Sequence, residues 1–216
     1  TAEAMRLAEL GAETGCEGLM VLPPYVYRGD WRETREHFAA VIGETPLPCM
    51  LYNNPIAYGT DVLPEQMVDL AVSLSNFVAV KESSADVRRV TSLRALLGDQ
   101  VALFVGVDDL VLEAVQAGAV GWISGLADAL PAESVRLFDL AREGKVAEAR
   151  ALYDWFLPLL RLDTVPKFVQ LIKLVQQETG LGSETVRPPR LPLEAPEREA
   201  VVGLVRYAFA RRPPLG

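Results

Sequence analysis

The alternation of short apolar runs with amphipathic helical stretches constrains this chain more than any other feature. Apolar runs at 18–22, 48–52, 77–81, 101–105 and 120–124 are bounded by turn-forming or polar residues, such as Pro23-Pro24 and Asn53-Asn54-Pro55. Runs of this length and composition read as buried strands. Helical spacing is predicted over 2–14, 30–42, 64–72, 86–97 and 108–117, with His37 on the face of the second. Strands this apolar, separated by helices, imply a parallel sheet covered on both faces. Further helices are expected at 132–142, 146–160, 164–179 and 196–211, with no strand among them.

Five strand–helix units can form an open doubly wound sheet. A closed (β/α)8 barrel takes eight strands and roughly 250 residues. Two observations favour the barrel. The chain opens inside a helix, as if its start were missing, and polar or reactive residues gather at the C-terminal tips of several strands. These are Tyr52-Asn53-Asn54, Lys81-Glu82-Ser83, Asp108-Asp109 and Ser124, and that end of a barrel carries the active site. The expectation is therefore an α/β chain. Residues 1–131 would form the last five strands of a (β/α)8 TIM barrel, and 132–216 the final barrel helix and a C-terminal helical domain. Three N-terminal strands would lie upstream, so Thr1 is not expected to be the start of the natural protein.

Composition narrows the partners. Of 216 residues, half are hydrophobic and 23% charged, enough for a sizeable core. A net charge of −8 argues against nucleic acid or an anionic membrane as a partner. Cys16 and Cys49 flank predicted strands and are expected as small core residues rather than a disulfide. Unpaired cysteines, with no signal peptide or membrane span, point to the cytoplasm. One histidine and no clustered cysteines leave no basis for a zinc site.

Lys81 ends the run Asn76-Phe77-Val78-Ala79-Val80. A lysine at the tip of a buried strand is half enclosed, which disfavours its charged form and leaves a free amine able to attack a carbonyl and form an imine. Taken alone, the segment equally fits a lysine reaching off the strand end to pair with Glu82. Tyr52 ends the preceding strand. Neighbouring strands lie about 5 Å apart, so a phenol there can pass protons as an imine forms and collapses. A lone strand-end tyrosine is more often a packing residue, and the pairing with Lys81 reverses that reading.

The segment Gly118-Ala119-Val120-Gly121-Trp122-Ile123-Ser124-Gly125 sets a hydroxyl and glycine-flanked amides at another strand end, suited to carboxylate or carbonyl oxygens or simply to a strand–helix turn. In Gly106-Val107-Asp108-Asp109 the acidic residues are expected to cap the following helix. Neither glycine-rich nucleotide-binding pattern occurs.

Four motifs in order carry a resemblance. Leu51-Tyr52-Asn53-Asn54-Pro55, Val80-Lys81-Glu82-Ser83-Ser84, Gly106-Val107-Asp108 and Gly121-Trp122-Ile123-Ser124-Gly125 together resemble the dihydrodipicolinate synthase/N-acetylneuraminate lyase family of class I aldolases. Gly15-Cys16-Glu17-Gly18 leading into Leu22-Pro23-Pro24-Tyr25 resembles its preceding strand. The resemblance implies a (β/α)8 barrel with a C-terminal helical domain, assembled as a homotetramer and needing no metal or organic cofactor. Lys81 would be the imine-forming lysine and Tyr52 the proton-relaying tyrosine, with Ile123, Ser124, Gly125 and Gly106 binding substrate.

Three features depart from the family pattern. No glycine- and threonine-rich carboxylate-binding loop is found at the N-terminus, Val26 stands where the synthase carries the second of two tyrosines, and Ala57 stands where it carries an arginine. The last two concern specificity and leave the imine chemistry intact. They argue against a lysine-pathway synthase and for a lyase acting on another pyruvate-like 2-oxo acid or cyclic imino acid. The segments around Tyr52 to Thr60 and Leu162-Asp163-Thr164 lean toward a deaminase-like group. The alternatives are the synthase proper, a catalytically silent relative with a binding or regulatory role, and a phosphate-binding sugar-metabolic barrel.

Overall fold

The computed structural model describes residues 1–214. Its first elements are helix α1 (Ala2–Glu13), strand β1 (Leu19–Val21), helix α2 (Trp31–Gly43) and strand β2 (Cys49–Asn53). The short helix α3 (Pro55–Tyr58), helix α4 (Pro64–Ser73), strand β3 (Phe77–Glu82), helix α5 (Arg88–Leu97) and strand β4 (Ala102–Val105) follow. Next come a 3-10 turn at Asp108–Leu110, helix α6 (Val111–Gln116) and strand β5 (Gly121–Trp122). All five expected strands are present, in one sheet of order β1-β2-β3-β4-β5. The pairs from β1 to β4 are parallel. Sequential parallel order with a helix after each strand is the pattern of a (β/α)8 barrel.

Local chemistry sets the element ends. Asp30 accepts from Glu33 N at 3.0 Å and Glu33 Oε2 from Asp30 N at 3.1 Å, a reciprocal cap that starts α2 at Trp31. Pro64 occupies the first position of α4, where its missing N–H costs nothing. Helix α5 begins two residues later than the spacing predicts, because Asp86 Oδ1 accepts from Arg88 N and holds a turn there. The Asn54 side chain accepts from Ala57 N, so the tyrosine-motif break closes into the unanticipated helix α3. Cys49 is buried as expected. Cys16 is exposed, because β1 starts only at Leu19 and leaves it on the α1–β1 turn.

Contacts divide the elements into two compact units, Thr1–Gly106 with Ala117–Gly121, and Val107–Gln116 with Trp122 onward. In the first, register partners point to the same side of the sheet. One face carries Leu51, Asn53, Val80, Glu82, Leu103 and Val105, all buried. Helices α2, α4 and α5 supply Phe38, Ile42, Met67, Leu70 and Leu93 to the buried core of this unit. The other face carries Tyr52, Lys81 and Phe104 side by side. A lysine therefore shares a row with two aromatics, on the face opposite Leu51, Val80 and Leu103.

The second unit is helical: α7 (Pro131–Arg142), α8 (Val146–Leu160), α9 (Phe168–Thr179) and α10 (Ala195–Phe209), with 3-10 turns at Leu126–Asp128 and Arg161–Asp163. Leu137, Phe156, Leu159, Leu160 and Leu174 are fully enclosed, and Trp155 Nε1 donates to Ala208 O at 2.9 Å, tying α8 to α10. The strand expected over 120–124 is only Gly121–Trp122, since beyond it the backbone turns to serve Asp108. Among the described residues no helix is long and apolar enough to cross a membrane.

Candidate active site

Lys81 and Tyr52 are direct register partners at the ends of β3 and β2. The lysine is 8% exposed, and its Nζ lies 4.2 Å from the centre of the Tyr52 ring. That places the amine over the aromatic face, an attractive position for a cation. The pairing with Glu82 considered from the sequence does not form, because period-2 alternation sends Glu82 to the opposite face of the strand. There its carboxylate accepts from Asn53 Nδ2 at 3.0 Å and from Ser84 N at 2.6 Å.

That opposite face holds a buried polar network. Asn53 Oδ1 accepts from Val62 N at 3.0 Å, and Asn53 Nδ2 also donates to Asp61 Oδ1 at 3.2 Å. Asp61 takes both guanidinium nitrogens of Arg89, at 2.6 and 2.7 Å. Burial raises the Glu82 carboxyl above its ordinary value, outweighing its hydrogen bonds. Burial also pulls Asp61 upward, but the bonds from Arg89 and Asn53 win and its pKa is lowered. This network fixes the two strand tips from behind.

In front, Asn54 Nδ2 donates to Tyr52 Oη at 3.0 Å. The phenol oxygen has an acceptor position filled, so its own proton remains available to donate. Tyr58 packs edge-on against Tyr52 with centroids 5.8 Å apart, and Tyr25 lies 6.0 Å beyond. Burial, with lesser contributions from Tyr52 and Tyr25, pushes the Tyr58 phenol up. Helix α3 ends on Gly59 at φ 72°, and the Arg28 guanidinium lies against it where any side chain would overlap.

Gly106 serves the lysine by having no side chain. A Cβ there would overlap both Lys81 Cε and Ser83 Oγ. Gly121 likewise leaves room for the Phe104 ring.

Ile123, Ser124 and Gly125 belong to the second unit, where Asp108 organises them. Asp108 is fully buried and accepts from Trp122 Nε1 at 3.0 Å, Ser124 Oγ at 2.8 Å and Leu126 N at 2.9 Å. Ser124 Oγ accepts in turn from Ala127 N at 3.0 Å. Asp108 is thus no helix cap. Its side chain reaches across to the next strand end, and the residue before its helix is Val107, which offers no capping group. Burial first, and the neighbouring Asp163 carboxylate second, push Asp108 up to about 7. Gly125 again leaves room, as a Cβ there would overlap the Asp163 carboxylate. Among the described residues no three His, Cys, Asp or Glu side chains converge as a metal ion would need.

Asn53, Asn54, Glu82 and Ser83 escaped the sequence reading as site residues. Alternation past Lys81 was the available signal, since it sets Ser83 on the lysine's face and Glu82 on the other.

The chain is a lyase of the class I type by its family, and a lysine and a tyrosine stand at adjacent strand tips of its parallel α/β fold. The dihydrodipicolinate synthetase family model matches residues 1–208, and the chain belongs to that family of (β/α)8 barrel proteins. It is 32% identical over 209 residues to the 4-hydroxy-tetrahydrodipicolinate synthase of Escherichia coli strain E24377A, covering 96% of this chain and 71% of that protein. Among solved structures, dihydrodipicolinate synthase from Aquifex aeolicus superposes with a TM-score of 0.91 at 25% identity, over 96% of this chain and 71% of that one. YagE, a prophage protein of the same family from Escherichia coli K12 in complex with pyruvate, superposes with a TM-score of 0.89 at 27% identity, over 96% and 72%.

Proposed function

We propose that this protein is a class I lyase in which Lys81 forms a Schiff base with a pyruvate-like 2-oxo acid or cyclic imino acid. The observation that carries the reading is the register pairing of Tyr52 with Lys81, which holds the amine 4.2 Å from the phenol ring. Lys81 Nζ attacks the substrate's carbonyl or imine carbon, and the resulting iminium is an electron sink for loss of a proton, water, ammonia or an aldehyde. Tyr52, its oxygen held by Asn54, passes the protons. Within the second unit the Ser124 hydroxyl stays bound to Asp108, which leaves the backbone amides of the Ile123-Ser124-Gly125 turn as the candidate donors to a carboxylate. Pyruvate in the related YagE supports the 2-oxo acid class.

The substrate we propose is not that of the lysine-pathway synthase. Ala57 and Val26 place no arginine and no second tyrosine at their positions, and Tyr58 and Tyr25 build an aromatic wall beside Tyr52 instead. Arg28, packed on Gly59, is a cation beside this turn and comes from the loop before α2.

The same loop supports assembly with further copies of the chain. Tyr25, Val26 and Tyr27 are exposed, Val26 by 91%, and together make an apolar patch suited to a subunit contact. A cytoplasmic homotetramer is the assembly we propose, in keeping with two free cysteines.

The test is reductive trapping. Incubation with pyruvate, 2-oxobutyrate or 2-oxoglutarate and borohydride is expected to leave a stable mass adduct on Lys81, absent from Lys81→Ala. No adduct from the full-length protein with any of the three acids would overturn the reading.

A further inference from the structure

We propose that Asn54 is a positioning residue of imine formation, its side-chain amide orienting the Tyr52 oxygen and stabilising the negative charge left there when the proton departs. The inference rests on the reading of Lys81 as the nucleophile and Tyr52 as its proton carrier. Asn54 stands two residues past Tyr52, half-buried, and makes two hydrogen bonds of opposite sense. Its Oδ1 accepts from Ala57 N at 3.0 Å, which caps helix α3, and its Nδ2 donates to Tyr52 Oη at 3.0 Å. A backbone N–H can only donate, so the amide oxygen faces Ala57 and the NH2 group is left facing the phenol.

The cap alone does not call for asparagine. Aspartate caps a helix about as well, yet when ionised it has no donor, and serine also caps but is an atom too short to span both partners. The NH2 group is therefore surplus to the turn and matched to the phenol. Helix α3 meets Tyr52 at a second point, since its last residue, Tyr58, packs edge-on against the ring with centroids 5.8 Å apart. One short helix thus fixes both ring and oxygen beside Lys81 Nζ, which lies 4.2 Å from the ring centre. Among the described residues Asn54 is the hydrogen-bond partner of that oxygen. An amide does not itself give up a proton, so its part is confined to orientation and charge.

The step balances as follows. The Nζ lone pair forms the N–C bond as the C=O π pair moves to oxygen, and Tyr52 gives that oxygen its proton. The ammonium nitrogen returns a proton to the Tyr52 phenolate, leaving a neutral carbinolamine. Tyr52 then protonates the hydroxyl, the C–O bond breaks and water departs. The nitrogen lone pair closes the iminium, and the Tyr52 phenolate carries the balancing charge. A phenolate forms twice on this path, and each time the Asn54 hydrogen bond becomes a charge-assisted one, stronger than in the resting protein.

Timed borohydride quenching with pyruvate, read by intact mass, tests this with Asn54→Ser and Asn54→Asp, alongside thermal melting. Both variants keep a capping oxygen for Ala57 N, so their melting temperatures are expected to stay within a few degrees of wild type. Asn54→Ser is expected to reach the Lys81 adduct about 10- to 100-fold more slowly, the loss of one hydrogen bond to a charged oxygen. Asn54→Asp, which sets a like charge beside that oxygen, is expected to be slower still. In a Tyr52→Phe background, where no phenolate forms, Asn54→Ser is expected to change the rate by less than about two-fold. A wild-type rate in either Asn54 variant overturns the inference while leaving Lys81 as the nucleophile. The same slowing in the Tyr52→Phe background assigns Asn54 a structural role and overturns it as well. Absence of any adduct in wild type removes the Lys81 reading and this inference with it.

Discussion

Asn53 and Glu82 are register partners on β2 and β3, and the Asn53 amide donates to the Glu82 carboxylate at 3.0 Å on the sheet face opposite Tyr52 and Lys81. Each strand tip thus turns one residue to the candidate site and the next to a brace behind it. The brace holds the buried Glu82 carboxylate on the face away from Lys81.

Removing the brace is expected to cost stability. Asn53→Ala strips the amide from Glu82 and the acceptor from Val62 N, leaving both buried and short of a partner. Such losses cost about 2–4 kcal/mol, read as a lowered urea midpoint at unchanged slope. A change under about 0.5 kcal/mol would show that the network does not hold the tips.

Lys81 and Tyr52 were legible because strand ends are marked in sequence: Asn53-Asn54-Pro55 stops one apolar run and Glu82-Ser83-Ser84 the next. Parallel order then makes them neighbours. Asp108 was not legible as an organiser of the Ser124 turn, since its partners lie 14 to 18 residues further on, past an intervening helix. Local propensity read it as a cap, and tertiary hydrogen bonding overrode that. Ser83, whose buried Oγ has no hydrogen-bond partner among the described residues, illustrates a different limit. A missing partner leaves no trace in a sequence pattern and is visible only once burial and neighbours are known.

Gly106→Ala is expected to abolish or severely slow trapping of pyruvate while preserving the sheet bond from Gly106 N to Glu82 O. The added methyl overlaps Lys81 Cε and Ser83 Oγ, so the lysine must leave its position over Tyr52. Overpacking of this kind costs about 1–3 kcal/mol. Wild-type trapping rates in a folded variant would show that the lysine position is not constrained by this glycine.

Asp108 gives the protein a pH-dependent stability of defined sign. Its carboxyl is pushed up to about 7, above its value of 3.8 in the absence of the fold, so the folded state binds more protons between those values. Stability is then greatest on the acid side and falls as pH rises through about 7, Glu82 contributing with the same sign. The Asp163 carboxylate contributes to that upward push by its like charge. Asp108→Asn is expected to flatten the fall in urea midpoint between pH 5 and pH 8 relative to wild type. An unchanged profile in the variant would assign the dependence elsewhere.

Tyr52→Phe separates proton transfer from packing. The ring that flanks Lys81 and meets Tyr58 edge-on is retained, and only the oxygen held by Asn54 is lost. Phenylalanine keeps the cation–π face, so melting temperature is expected to move by no more than a few degrees. Imine formation requires a proton delivered to the departing oxygen, and loss of a positioned acid or base costs about 100- to 10,000-fold. The expected result is therefore a stable protein whose Lys81 still takes up pyruvate under borohydride, at a rate reduced by about that factor. Because the defect is in proton delivery, the trapping rate of the variant should rise with added small general acids, and that of Lys81→Ala should not. A variant that traps at the wild-type rate would remove Tyr52 from the proton path and leave it as a packing residue beside the amine.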